Sequence, residues 1–296
     1  MNRLGPLLWL SAAVLVLPLV AMPLLDAFAR RNLYPAPPVR VPAPPEPLAE
    51  VRLDTGRGDA VVGWAGGAAA PPGAPVVLFF HGNGENLATM AMAGLFHEMA
   101  ALDTAHLSID YPGYGRSTGR PSEESLAAAA DAALEWARRE HPERPVVAAG
   151  WSLGAAVAAA LAARRPDEVA GLIALSPWAS LPELARRFFP GQLVRLALSD
   201  RYDTEAAAEG VRVPALVVHG ARDAIIPAVH GRRVAAALAG PVEHRELPTA
   251  GHNDLLAYPE VWYEIARLLA RVAPPAASGP KTGKEVRPVG APPRQP

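Results

Sequence analysis

The chain has 296 residues, half of them hydrophobic, with a formal net charge of −1, no cysteine and 33 prolines. That length holds one large α/β domain with a sizeable core. The near-neutral charge argues against a nucleic-acid binder, which needs a basic surface to meet phosphates, and the lack of cysteine excludes disulfides, thiolate metal sites and a cysteine nucleophile.

In chain order, Leu4 to Leu25 is uncharged and overwhelmingly apolar, with Arg3 ahead of it and Asp26, Arg30 and Arg31 behind. About 20 helical residues span a bilayer core of roughly 30 Å, so residues 4–25 are long enough for a single-pass membrane anchor. A secretory signal cleaved near Ala29, in Ala27-Phe28-Ala29, is the alternative. Positive charge on both flanks leaves the membrane face open. We assign residues 1–31 to this anchor or signal, 32–49 to a Pro-rich linker, 50–272 to the globular domain and 273–296 to a disordered tail. Residues 35–47 read as a stiff spacer lifting the domain off the bilayer.

Within the domain, Val51–Leu53 and Ala60–Trp64 flank a glycine-containing turn and predict a hairpin. Strands and helices then alternate. Val76–Phe80 reads as a buried strand, Asn86–Ala100 as a helix, Ala105–Asp110 as a strand and Ser122–His141 as a long helix. A strand at Pro145–Ala149 precedes an alanine-rich helix from Leu153 to Ala163. The strand Val169–Leu175 follows, and then an irregular section. The strand Ala215–His219, the helix Ala228–Leu238, the strand Glu243–Leu247 and a closing helix Asp254–Val272 complete the series. Such alternation implies βαβ units, a mostly parallel sheet and helices on both faces, with ligands bound beyond the carboxyl ends of the strands.

The polar motifs fall at those ends: His81-Gly-Asn-Gly84, Asp110-Tyr-Pro-Gly-Tyr-Gly-Arg-Ser117, Gly150-Trp-Ser-Leu-Gly154, His219-Gly-Ala-Arg-Asp223 and Gly251-His-Asn-Asp254. The third fits the G-x-S-x-G nucleophile elbow, a tight turn from buried strand to helix that presents Ser152 at the helix N-terminus. A serine hydroxyl needs a base to take its proton and a carboxylate to orient that base. His252, in a glycine-containing loop between the last strand and helix, is the leading base. His219 ends a strand and reads as structural, and His81 shapes the loop it opens. Asp223 is the leading carboxylate, giving the order Ser, Asp, His; Asp254 is its rival but reads as the N-cap of the closing helix. The Leu153 and Asn83 backbone amides are the candidate oxyanion donors.

Together these motifs resemble the α/β-hydrolase superfamily over about residues 50–272, and in particular its membrane-anchored "abhydrolase domain" serine hydrolases, often labelled serine-aminopeptidase-like. The resemblance implies the α/β-hydrolase fold, Ser152 as nucleophile, Asp223 as acid, His252 as base, and Asn83 and Leu153 as the oxyanion hole, without metal or cofactor. Some members of that branch remove fatty acyl groups from proteins. Residues 176–213 are short for the helical cap common in such folds, so an open cleft is expected, with an apolar wall at Trp178, Phe188 and Phe189; plain core is the other reading of these aromatics. The expected activity is hydrolysis of carboxylic esters or thioesters, on a lipid or acylated protein, at a membrane reached through residues 4–25 and with no nucleic-acid partner. A serine peptidase of the same fold and a catalytically silent, membrane-tethered binding module are the alternatives.

Overall fold

The computed structural model describes residues 23–273. Most of the stretch assigned as the anchor, and the tail 274–296, lie outside them; among the described residues no helix is long and apolar enough to cross a membrane. One sheet holds β1 (Ala49–Asp54), β2 (Ala60–Gly66), β3 (Val76–Phe80), β4 (Ala105–Ile109), β5 (Val146–Trp151), β6 (Val169–Leu175), β7 (Ala215–Gly220) and β8 (Val242–Leu247). Their spatial order is β1-β2-β4-β3-β5-β6-β7-β8. β2 runs antiparallel to β1 and β4, and every other pairing is parallel.

The alternating pleat divides each central strand between two cores. In β3, Val76, Leu78 and Phe80 join the cluster built with the helices α4 (Glu123–Glu140) and α5 (Leu153–Arg164). Val77 and Phe79 join the opposite cluster, built with α2 (Leu87–Met92), α3 (Leu95–Ala100) and α10 (Pro259–Val272). Between α5 and α10 the chain forms α6 (Leu181–Ala185), α7 (Gly191–Ala197), α8 (Thr204–Ala208) and α9 (Val229–Ala237). The first two make up the small cap, and α8 packs against α5 and α9. Ser122 caps α4 by accepting from the Ser125 amide, and Glu123 and Glu124 complement the positive end of the helix dipole.

Two predicted helices are divided. The helix expected over Asn86–Ala100 breaks at Gly94, whose φ of 80° interrupts the hydrogen-bond ladder and leaves α2 and α3. The helix expected from Asp254 begins only at Pro259. A 3₁₀ turn (Leu255–Ala257) comes first, and Tyr258 is extended because a residue before proline is pushed out of the helical region.

The described chain opens in α1 (residues 23–33). The stretch after it is not the free-standing spacer expected from its prolines. Tyr34 and Val41 are 5% and 3% exposed, and the Asn86 side-chain amide donates to the Val39 carbonyl at 2.8 Å. Proline fixes φ in an extended range, and an extended chain lies in a groove as readily as it bridges open space.

Candidate active site

Ser152 lies between β5 and α5 with φ 56° and ψ −115°, a backbone conformation that costs a non-glycine residue of order 1–3 kcal/mol. Its amide donates to the Leu175 carbonyl at 2.8 Å, tying the turn to β6. The flanking glycines are a steric requirement. A Cβ on Gly150 would strike the Gly154 carbonyl, and one on Gly154 would strike the Phe80 carbonyl.

The chain brings His252 and Asp223 to this turn from the loops that follow β8 and β7, on the same rim of the sheet. His252 Nε2 is 3.1 Å from Ser152 Oγ, and Nδ1 is 2.7 Å from Asp223 Oδ2. All three residues are buried. Asp223 Oδ1 accepts from the Ile225 and Ile226 amides at 2.9 and 2.7 Å, which fixes which oxygen faces the imidazole. Burial alone would raise the Asp223 carboxyl, but hydrogen bonds from His219 and His252, the charge of His252 and the Ile226 amide together hold it well below the ordinary carboxylate range. The carboxylate therefore stays ionised, keeping the His252 proton on Nδ1 and the Nε2 lone pair toward Ser152. Asp254 is no part of this line. Nor does it cap a helix as expected: Oδ1 accepts from the Gly251 amide at 2.7 Å, bracing the loop that carries His252.

His219, expected to be purely structural, touches the site. Its Nε2 donates to the Ile226 carbonyl at 2.8 Å and lies 3.3 Å from Asp223 Oδ2. The His219-to-Asp223 spacing, one turn after a buried strand, was the available signal. Trp151, inside the elbow motif, also touches the site. Its ring packs on His252 with centroids 5.1 Å apart, and its edge leaves no room for a Cβ on Gly82.

Asn83 lies in the loop after β3 and lines the same cleft as Ser152, while Leu153 opens α5 directly after the serine. The loop is held from several sides. Tyr111 Oη donates to the His81 carbonyl at 2.8 Å, Tyr114 Oη to the Asn83 carbonyl at 2.7 Å, and the Gly82 amide to Glu85 Oε2 at 2.9 Å. Burial raises the Glu85 carboxyl, and the Gly82 amide partly offsets this. Beneath the loop, burial lowers His81 to about 4 against the opposing bond to the Gly82 carbonyl. Burial also raises Asp110 to about 7, opposed by the bond from the Leu87 amide.

A cleft of about 730 Å³ leads to Ser152 and His252. Trp178, Phe188 and Phe189 all line it, Trp178 buried at 3% and the two phenylalanines exposed at 60% and 39%. Leu181, Leu184 and Val194 of the cap, with Ile225 and Ile226 after β7, extend the apolar wall. The remaining side comes from Phe28, Ala29, Asn32 and Leu33 of α1, residues that sequence reasoning assigned to an anchor and a linker.

A buried Ser–His–Asp line at the carboxyl ends of parallel strands, under a small helical cap, defines the α/β-hydrolase class. The family model described as alpha/beta hydrolase fold matches residues 75–213. An uncharacterized protein of Mycobacterium tuberculosis is 38% identical over 208 residues, 69% of this chain and 72% of that protein. Protein bem46 of Schizosaccharomyces pombe is 30% identical over 210 residues, 68% of this chain and 69% of that protein. The Pyrococcus furiosus esterase Pf2001 shares the fold at a TM-score of 0.62 and 18% identity, covering 80% of this chain and 99% of that one. The chain belongs to the α/β-hydrolase superfamily.

Proposed function

We propose that the protein is a serine hydrolase that cleaves carboxylic esters or thioesters through an acyl-enzyme intermediate. The observation that carries this reading is the continuous hydrogen-bonded line from Ser152 Oγ through His252 to Asp223. As Ser152 Oγ attacks the substrate carbonyl, His252 Nε2 takes the hydroxyl proton and Asp223 stabilises the resulting imidazolium. The tetrahedral oxyanion is received by the Leu153 and Asn83 amides. When it collapses, the bond to the leaving oxygen or sulfur breaks and His252 returns the proton to it. A water molecule deprotonated by His252 then cleaves the acyl-serine ester, releasing the carboxylic acid and restoring Ser152.

The apolar cleft favours an acyl chain over a polar ligand, and the exposed Phe28, Phe188 and Phe189 at its edge favour a substrate delivered at a lipid surface. Membrane attachment through residues 4–25 is part of the proposal. Retention of that segment is favoured over cleavage near Ala29, because Ala29 and Phe28 line the cleft. A fluorophosphonate should label Ser152, and Ser152→Ala should abolish both labelling and p-nitrophenyl ester hydrolysis. Persistent hydrolysis by a folded Ser152→Ala protein refutes the mechanism. Fractionation of cells expressing the full chain checks attachment: a shortened, soluble product refutes it.

A further inference from the structure

The segment ahead of the β1–β2 hairpin touches the site in three separate ways. Phe28, Ala29, Asn32 and Leu33 of α1 form one side of the cleft. The Leu33 carbonyl, at the end of α1, accepts from the Asn83 side chain at 3.4 Å, so the helix also meets the loop expected to supply an oxyanion donor.

The third contact is a polar latch that fixes α1 to the end of the cap. Arg30 bonds Asp200 Oδ2 at 3.2 Å, Ser199 Oγ at 2.8 Å and Asp26 Oδ2 at 2.8 Å, and Ser199 Oγ donates to Asp26 Oδ1 at 2.7 Å. Tyr34 Oη donates to Asp200 Oδ2 at 2.8 Å and meets Tyr202 Oη at 2.9 Å. Asp200 is 6% exposed, and its second oxygen accepts from the Glu123 amide at the start of α4. A buried carboxylate that accepts three donors, two from the α1 segment and one from α4, ties both to the stretch that carries it, because losing any donor leaves it undersatisfied. Arg30 is raised in pKa: burial opposes this, but the bond to Asp26 and the charges of Asp200 and Asp26 outweigh it.

We propose that α1 is a substrate-selecting element: Phe28 and Leu33 form the wall that sets which acyl chains fit, and the Arg30–Asp200 latch holds that wall in place. The proposal rests on the hydrolase reading of the cleft for its substrate class. It makes acyl-chain selection a property of the segment at the C-terminal end of the apolar N-terminal stretch, so the proposed attachment and substrate choice are neighbours in the chain. Without α1 the cleft would face the cap across an open side, and a long chain would keep water on one flank.

The test uses the full-length chain and two readouts. The first is the ratio of kcat/KM for p-nitrophenyl decanoate to that for the acetate. Phe28→Ala should lower this ratio on the order of 10-fold, the scale of losing a few apolar groups from a hydrophobic pocket. Arg30→Met, outside the cleft, should lower it in the same direction by releasing the wall, and Arg30→Lys should restore part of it. The second readout needs no turnover: titration of decanoate into Ser152→Ala protein, followed by the fluorescence of the tryptophans at the cleft. Adding Phe28→Ala should weaken decanoate binding on the order of 10-fold. Unchanged ratio and unchanged binding in Phe28→Ala overturn the proposal. Weakened decanoate binding in a protein that hydrolyses no ester refutes the hydrolase reading and leaves the wall standing.

Discussion

Asp223→Asn tests the site most sharply, because the structure dictates how the new amide must sit. Asp223 Oδ1 accepts from two backbone amides, Ile225 and Ile226, while Oδ2 faces His252 Nδ1. An asparagine has one acceptor oxygen. Placing its NH₂ toward Ile225 and Ile226 would set donors against donors and forfeit two buried hydrogen bonds, each costing about 1–3 kcal/mol when left unmade. The favoured orientation keeps the carbonyl on the amides and turns the NH₂ toward His252. Nδ1 must then accept, which moves the imidazole proton to Nε2, facing Ser152 Oγ. In that tautomer His252 has no lone pair for the serine proton.

The expected loss in kcat is about 10⁴-fold, or about 5 kcal/mol of transition-state stabilisation, with KM little changed because the carboxylate contacts no substrate. Fluorophosphonate labelling should slow to a similar extent. The thermal midpoint should fall, because the amide cannot supply the ionised carboxylate that the folded state favours, while its matching volume and two retained bonds keep the native fold. Hydrolysis of p-nitrophenyl butyrate, labelling rate and circular dichroism on the same preparation make the comparison. An Asp223→Asn protein that keeps more than about a tenth of wild-type kcat would refute the tautomer argument. Asp254→Asn is the matched control, because its carboxylate only braces Gly251; a larger loss there would transfer the orienting role.

Tyr114→Phe removes the hydroxyl bonded to the Asn83 carbonyl at 2.7 Å, so kcat should fall by about 10-fold with KM nearly constant as the proposed oxyanion donor loosens; an equal rise in KM with kcat preserved would assign Tyr114 to substrate binding instead. Asp110 gives a pH signature. Its folded pKa of about 7 lies above the ordinary value, so its contribution to stability is full below about pH 4 and is lost as pH rises through about 7, up to about 4 kcal/mol. Between about pH 6.5 and pH 8.5 His81, lowered to about 4, stays neutral. Over that window the difference in thermal midpoint, Asp110→Asn minus wild type, should rise with pH; a flat or falling difference would show that Asp110 is ionised throughout.

Much of this molecule was legible in the sequence because its information is local. The strand Val76–Phe80 is a continuous apolar run that both faces of a parallel sheet require, and it forms over those five residues. The elbow is legible for a harsher reason: at Gly150 and Gly154 a single added carbon meets a carbonyl oxygen. Where two local signals compete, the reading fails in a consistent way. Asn86–Ala100 carries enough helix-forming residues to look continuous, but Gly94 supplies the positive φ that divides it. At Asp254 the residue type suits a helix cap, but Pro259 moves the start of the helix downstream and frees the carboxylate for Gly251. In both places composition over many residues was outweighed by one residue's backbone geometry.

The cleft was illegible for a different reason. Its walls meet across a long stretch of chain, α1 against the cap, and neither segment carries a motif. Phe28 reads naturally as the flank of an apolar stretch, and Tyr34 as part of a proline-rich linker. Only the fold shows that Tyr34 shares Asp200 with Arg30. Catalytic chemistry constrains residue type and spacing, because a proton must pass between particular atoms about 3 Å apart. An acyl wall asks only for apolar volume at the right distance, which many residues supply from many places in a chain. Reaction type is therefore written in short motifs, and substrate choice in tertiary contacts. For this protein that division places chain-length selection on Phe28 and Leu33, well ahead of the first strand of the sheet.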